Sequence, residues 1–361
     1  MNTSEIKTTD IEQYHRQILL TEIGLKGQIT LSSKKIVVVG IGALGTVAAE
    51  LLVRAGVGKI LLIDRDIVEK SNLSRQVLFT PKEVGLSKSL AAKEKLMLIN
   101  PQINIESRAV HLGPDNVFLL DSYDLILDCT DNLQTRFLIN DFCKKNSQNW
   151  IYAAAIKTSG YVMPFWNKAN PHSNLSGSPN PASPCLKCFL KEANLDSCDI
   201  VGVINTLTTS IAALQVTLAL KILLNHPVRS ELFYYNIWNQ EFRRLKVKPN
   251  PNCRTCLGNY DYLSEREEAR WLRFCGEGKF QVLGLKVNFE AIALKWKNMI
   301  KAESNHFGLK LTRNIESITL KIGLEIHSKS EKITLFIDGR TLINASTKEK
   351  ALSLYTKYIG N

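Results

Sequence analysis

The chain has 361 residues, 45% of them apolar and 22% charged, with a formal net charge of +12. That length allows two or three domains, and the composition is that of a folded globular chain rather than a disordered one. The excess positive charge alone would admit nucleic acid as a partner. No basic run exceeds two residues, and neither a recognition-helix pattern nor an RNA-binding aromatic signature occurs, so none is expected.

The opening residues, MNTSEIKTTD, lack the apolar core of a signal peptide, which predicts a cytoplasmic protein. Residues 10–33 carry a short helical pattern. KIVVVG (35–40) is a strand that runs into the turn GIGALG and a helix to about Ala55. GVGKILLIDRD is a second strand ending in acids, and residues 85–99 are helical up to the stop at Pro101. INIESRAVHL and YDLILDCTDN are a third and a fourth strand, the latter with its polar tip at the C-terminal end. NWIYAAAI and SGYVMPFW supply further strands. Strands alternating with helices predict a doubly wound, mainly parallel α/β sheet of the Rossmann kind.

Residues 167–184 are rich in Pro, Ser and Asn and predict a loop. Residues 203–224 have the length of a membrane span, but Asn205, Gln215, Lys221 and several threonines would be expensive in lipid. A buried core helix is therefore expected, and no membrane. Beyond Cys256 the pattern changes. A strand (279–288), an amphipathic helix (289–303), strand-like segments (309–327), a hairpin around Asp338-Gly339 and a last helix opened by a Ser346-x-x-Glu349 capping box predict a small C-terminal α+β domain. The expected division is 1–261, a helical linker over 262–278, and 279–361.

In GIGALG, Gly40 permits the tight turn and Gly42 lets backbone approach a phosphate or sugar. Gly45 lets the helix pack closely on the strand, and the helix N-terminus favours an anion. Asp64, ending the next strand, is placed to accept hydrogen bonds from a ribose. SNLSRQ puts Asn72, Arg75 and Gln76 just beyond it, and GLSKS adds Lys88 at a helix start. Two cations this close to a glycine turn suit a triphosphate. Asp131 in CTDN lies on the edge where open α/β sheets bind ligands. It is suited either to coordinate Mg²⁺ on phosphates or simply to cap the next helix.

Eight cysteines occur, at 129, 143, 185, 188, 198, 253, 256 and 275. Without a signal peptide a disulfide framework is not expected. CLKC (Cys185, Cys188) and CRTC (Cys253, Cys256) provide four thiolates, enough for a closed, structural tetrahedral Zn²⁺ site. Cys129 and Cys143 sit in apolar or helical context and are expected in the core.

YHRQILL, GIGALG, AGVGKILLIDRD, SNLSRQ, VGLSK, LDCTDN and the two cysteine pairs occur in one order over residues 10–260. In this the chain resembles the MoeB/ThiF/HesA family of adenylyltransferases that activate ubiquitin-like proteins. Ala43 stands where many members carry a further glycine. The resemblance implies ATP-dependent adenylation of the C-terminal glycine of a carrier ending in Gly-Gly, commonly a ThiS- or MoaD-type sulfur carrier, with release of pyrophosphate. It implies that Asp64 holds the ribose, that Asn72, Arg75, Gln76 and Lys88 hold the phosphates, and that Asp131 positions Mg²⁺. It implies that Arg16 reaches the triphosphate of a neighbouring subunit in a homodimer. Cys198 falls where some members keep a nucleophilic cysteine on a mobile loop. Its neighbours Asp196 and Asp199 would raise its pKa, against the lowering expected near a helix N-terminus. Some relatives end in a rhodanese-like domain with a cysteine; none follows Cys275 here. The rival functions are an adenylating enzyme acting on a peptide or tRNA, an NAD-dependent dehydrogenase, and a non-catalytic adaptor. The dehydrogenase leaves Arg75, Lys88 and both cysteine pairs unexplained.

Overall fold

The computed structural model describes residues 12–167, 184–190, 202–264, 271–274, 279–282, 288–302, 309–313, 317–322, 331–336 and 341–359. Residues 168–183 of the loop expected over 167–184, Cys198, Cys275 and the hairpin turn expected at Asp338-Gly339 lie outside them. The described residues form two units, one within 1–193 and 202–265, the other within 266–361.

The first unit opens with α1 (His15–Ile18) and α2 (Gly24–Ser32). Then come β1 (Lys35–Val39), α3 (Ala43–Arg54), β2 (Lys59–Ile63), α4 (Lys88–Ile99), β3 (Asn104–Arg108), β4 (Leu125–Asp128) and α5 (Leu133–Lys145). β5 (Trp150–Ile156), β6 (Ser159–Phe165), α6 (Asn205–Leu223), β7 (Glu231–Asn236) and β8 (Glu241–Lys246) complete it. The sheet has eight strands in the order β3-β2-β1-β4-β5-β6-β7-β8. The first five are parallel; from β6 onward each strand is antiparallel to its neighbour.

The parallel half is covered on both faces, which is why KIVVV and KILLI are continuously apolar rather than alternating. Ile36, Val38, Ile60, Leu62, Leu125 and Leu127 point to one face, beneath α3, α4 and α6. Val37, Val39, Leu61, Ile63 and Ile126 point to the other, where they meet Phe137, Leu138 and Phe142 of α5. By length and composition α6 could cross a membrane. Its apolar side instead packs on α3, β5 and β6, with Leu207, Ile211, Ala212 and Ala219 buried.

The second unit contains β9 (Trp271–Phe274), β10 (Lys279–Val282), α7 (Phe289–Ala302), β11 (Leu309–Arg313), β12 (Ser317–Ile322), β13 (Glu331–Phe336), β14 (Thr341–Asn344) and α8 (Lys348–Tyr358). Its antiparallel sheet runs β11-β12-β13-β14-β10-β9. It has its own core around Phe280, Trp296, Ile318, Leu335, Ile343 and Tyr355. Inside that core the Trp296 indole donates to Tyr358 O at 2.9 Å.

Two expectations change here. A strand, β9, pairs with β10 where a helical linker was expected. The last helix is capped by Thr347, whose hydroxyl accepts from Lys350 N at 3.2 Å, and not by Ser346.

Candidate nucleotide site and metal centre

The turn between β1 and α3 sits at the carboxyl edge of the parallel strands. Gly40 has φ +88°, and a Cβ there would stand 2.8 Å from Cys129 O. A Cβ on Gly45 would stand 1.8 Å from Gly40 O, so the helix can enter this closely only without a side chain. Gly42 differs: a Cβ would meet nothing nearer than Gln76 Nε2, at 3.9 Å. The protein itself does not demand glycine at 42, and the open space is where a ligand would approach. Gly42 is also the N-cap of α3 and offers no side chain to the first amides. An uncapped helix N-terminus attracts an anion.

Asp64 follows β2 and is buried. Its Oδ2 accepts from Ile41 N within the glycine turn, and its Oδ1 from Asp66 N at 2.7 Å. Burial pushes its carboxyl above the ordinary aspartate value, against the pull of Lys88. Lys88 is the first residue of α4 and is buried, with Nζ 3.1 Å from Asp66 Oδ2. Burial draws its pKa down, but Asp66, Asp64 and Asp131 outweigh that and hold the ammonium above the ordinary lysine value. Asp131 is exposed beyond the tip of β4. The N-cap of α5 is Asn132, which accepts from Thr135 N at 2.9 Å, so Asp131 is not needed as a cap.

Gln76 is buried beside Gly42, and its Oε1 has no hydrogen-bond partner among the described residues. A buried acceptor left open in this way is satisfied by a ligand hydroxyl or amino group. Asn72 is buried, with Oδ1 accepting from Glu69 N. Arg75 is half-buried and donates to Ser71 O at 3.0 Å. The structure thus gathers the glycine turn, Asp64, Gln76, Lys88 and Asp131 around one sheet edge, with Asn72 and Arg75 on the segment that carries Gln76. Arg16 is elsewhere. It lies exposed on α1, next to Tyr14 and Gln17, which pack at the far end of α3 against Gly56 and Ala55. Twelve helical residues, about 18 Å, separate that end from the glycine turn.

The four paired cysteines meet as expected. Their sulfurs lie within 4.8 Å of one another. Cys185 to Cys253 is 3.4 Å, Cys188 to Cys256 is 3.6 Å and Cys185 to Cys188 is 3.9 Å. A tetrahedron of Zn–S bonds near 2.3 Å has edges of about 3.8 Å, so the cluster has the dimensions to hold a metal ion. Sequence reasoning missed what holds the two knuckles. Neighbouring residues of α5 grip one each. Asn140 Oδ1 accepts from Leu186 N at 2.8 Å, while buried Asp141 accepts from Thr255 Oγ1 at 2.7 Å and Tyr262 N at 3.1 Å. Cys129 and Cys143 are buried, and burial raises both thiols well above the ordinary value.

The fold and site together define a mainly parallel α/β protein with a glycine turn at its ligand edge and a four-thiol cluster. The ThiF family model matches residues 14–255. The sulfur carrier protein adenylyltransferase of Thermus thermophilus is 35% identical over 274 residues, covering 74% of this chain and 97% of that protein. The sulfur carrier protein ThiS adenylyltransferase of Bacillus subtilis is 31% identical over 362 residues, covering 96% of this chain and 99% of that one. This chain belongs to the ThiF family. Among solved structures, E. coli MccB with ATP superposes with a TM-score of 0.55 at 21% identity, over 63% of this chain and 68% of that one; it supports the fold.

Proposed function

We propose that this chain is an ATP-dependent adenylyltransferase acting on the C-terminal glycine of a ubiquitin-like sulfur carrier. One observation carries most of the reading: an uncapped helix N-terminus at Gly42 and the buried ammonium of Lys88 share one edge of the sheet. Two such anion-attracting groups suit a triphosphate, whereas hydride transfer has no use for the second. Both relatives named above are adenylyltransferases of sulfur carriers.

In this reading Asp64 accepts the ribose hydroxyls and Gln76 Oε1 accepts from the same nucleotide. Asn72, Arg75 and Lys88 bind phosphate oxygens, and Asp131 is the carboxylate for Mg²⁺. When bound, that ion offsets charge on the phosphates. The carrier's terminal carboxylate oxygen attacks the α-phosphorus. The bond from that phosphorus to the bridging oxygen breaks, pyrophosphate departs with the electron pair, and an acyl-adenylate remains. A carboxylate is already ionised at neutral pH, so no general base is required. The site accordingly needs cations and not histidine. Arg16, remote from the site of its own chain, serves the site of a second copy in a homodimer. The four cysteines hold one structural Zn²⁺.

Calorimetry tests the nucleotide. ATP with Mg²⁺ should bind, and NAD should show no useful affinity. Tight NAD binding with none for ATP would overturn the reading.

A further inference from the structure

Thr130, the residue before Asp131, is held from both sides. Its N–H and its hydroxyl both donate to Asp128 Oδ1, at 2.9 and 2.7 Å. Its carbonyl accepts from Arg136 Nη2. The same nitrogen donates to Ala153 O on β5 at 3.2 Å, and the guanidinium lies 5.2 Å from the centre of the Tyr152 ring. Arg136 Nε faces Asp128 Oδ2 at 3.4 Å. That contact is an ion pair without hydrogen-bond geometry, since neither atom has a hydrogen-bond partner among the described residues. From α6, Gln215 Nε2 donates to Asp128 O and Ile151 O, both at 3.0 Å.

Asp128 is fully buried and Arg136 is 9% exposed. Burying two charges is a poor way to gain stability, because their desolvation offsets their attraction. What the pair accomplishes here is geometric. It fixes every polar group of Thr130, the link between β4 and Asp131. The exposed Asp131 carboxylate makes no hydrogen bond to a described residue that would orient it directly.

We propose that Arg136 and Asp128 are positioning residues, a buried clamp on Thr130 that sets where the Asp131 carboxylate stands. The inference rests on the reading of Asp131 as the carboxylate for the metal. The clamp acts on metal affinity through Asp131 alone.

The test is a titration of the full chain with Mn²⁺ in the presence of α,β-methylene-ATP, read by electron paramagnetic resonance. Arg136→Lys keeps the charge opposite Asp128 but loses the forked donors. It should weaken Mn²⁺ binding by about tenfold, the scale on which residues supporting a metal ligand act. Asp131→Ala should weaken binding at least as much, and the double variant should bind no more weakly than Asp131→Ala. If Arg136→Lys does not fold, Thr130→Val replaces it. That variant keeps the shape and the ion pair, and should weaken Mn²⁺ binding only while Asp131 is present. Losses that add in the double variant would overturn the clamp while leaving the role of Asp131 intact. Wild-type Mn²⁺ binding by Asp131→Ala would instead overturn the reading of Asp131, and the clamp with it.

Discussion

Lys88 is presented by a loop whose anchor is Glu83. Thr80 N and Thr80 Oγ1 both donate to Glu83 Oε2, at 2.7 and 2.6 Å, and Lys95 Nζ lies 2.9 Å from Oε1. Burial works against the carboxylate, but Thr80 and Lys95 outweigh it and hold the pKa at about 2, below the ordinary 4.5. A depressed carboxylate contributes stability that is present above the unfolded value and is lost as pH falls through the folded one. Glu83→Gln should therefore cost about 1–2 kcal/mol at neutral pH, and its gap to wild type should close only between about 4.5 and about 2. Urea midpoints across that range measure it, and a gap that stays constant throughout would contradict the account. The glycine turn was legible in the sequence; the Thr80–Glu83 capping box went unread there. The partners of Thr130 were not legible, because nothing local in the sequence says that Arg136 folds back onto residue 130. At this scale a Cys198→Ala variant would separate activation from transfer. Adenylation uses a carboxylate and needs no thiol, so Cys198→Ala should keep ATP–pyrophosphate exchange within about twofold, as an uninvolved side chain does. If wild type forms a covalent conjugate with its carrier, the mutant should lose it; mass spectrometry of a mutant that still carries the conjugate would move the nucleophile elsewhere.

Among the elements, the strands that position the site were the most legible. β1, β2 and β4 are short apolar runs with both faces buried; β1 runs into the glycine turn, while β2 leads to Asp64 and β4 ends in Asp128 at the ligand edge. The antiparallel half was less so. β5 and β6 are separated by two residues, Lys157 and Thr158. So short a connection forces an antiparallel pair, since a parallel one needs a crossover of a dozen residues or more. β8 gave no apolar signal, because EFRRLK is a largely exposed edge strand. Spacing announced the cysteine pairs, but their common support on α5 depends on Asn140 and Asp141 facing two knuckles that are distant in sequence. Purified protein should carry about one Zn²⁺ per chain, as four thiolates require. Cys185→Ser and Cys256→Ser should each lower metal content and thermal stability together, since binding and folding of such a site are linked. Full zinc occupancy after loss of both cysteines of either pair would exclude this assignment.

At the scale of the whole molecule, the ThiF match and every proposed nucleotide and metal ligand lie before residue 260. The Thermus relative is matched over 97% of its length by 74% of this chain, so it has no counterpart for the remainder. The Bacillus relative aligns along nearly all of both chains. The adenylation reading therefore rests on the first unit. The second has its own sheet and core, and its strand β9 escaped sequence reading because WLRF is too short to show alternation. In the proposed reaction a carrier's terminal carboxylate is what meets ATP in the first unit. ATP–pyrophosphate exchange by the full chain, with a ThiS-type carrier supplied intact or lacking its Gly-Gly tail, tests that claim most directly. Exchange should require ATP, Mg²⁺ and the intact tail, and should vanish with the truncated carrier. Exchange that is indifferent to the tail, or that appears only with a free peptide or a tRNA, would contradict it.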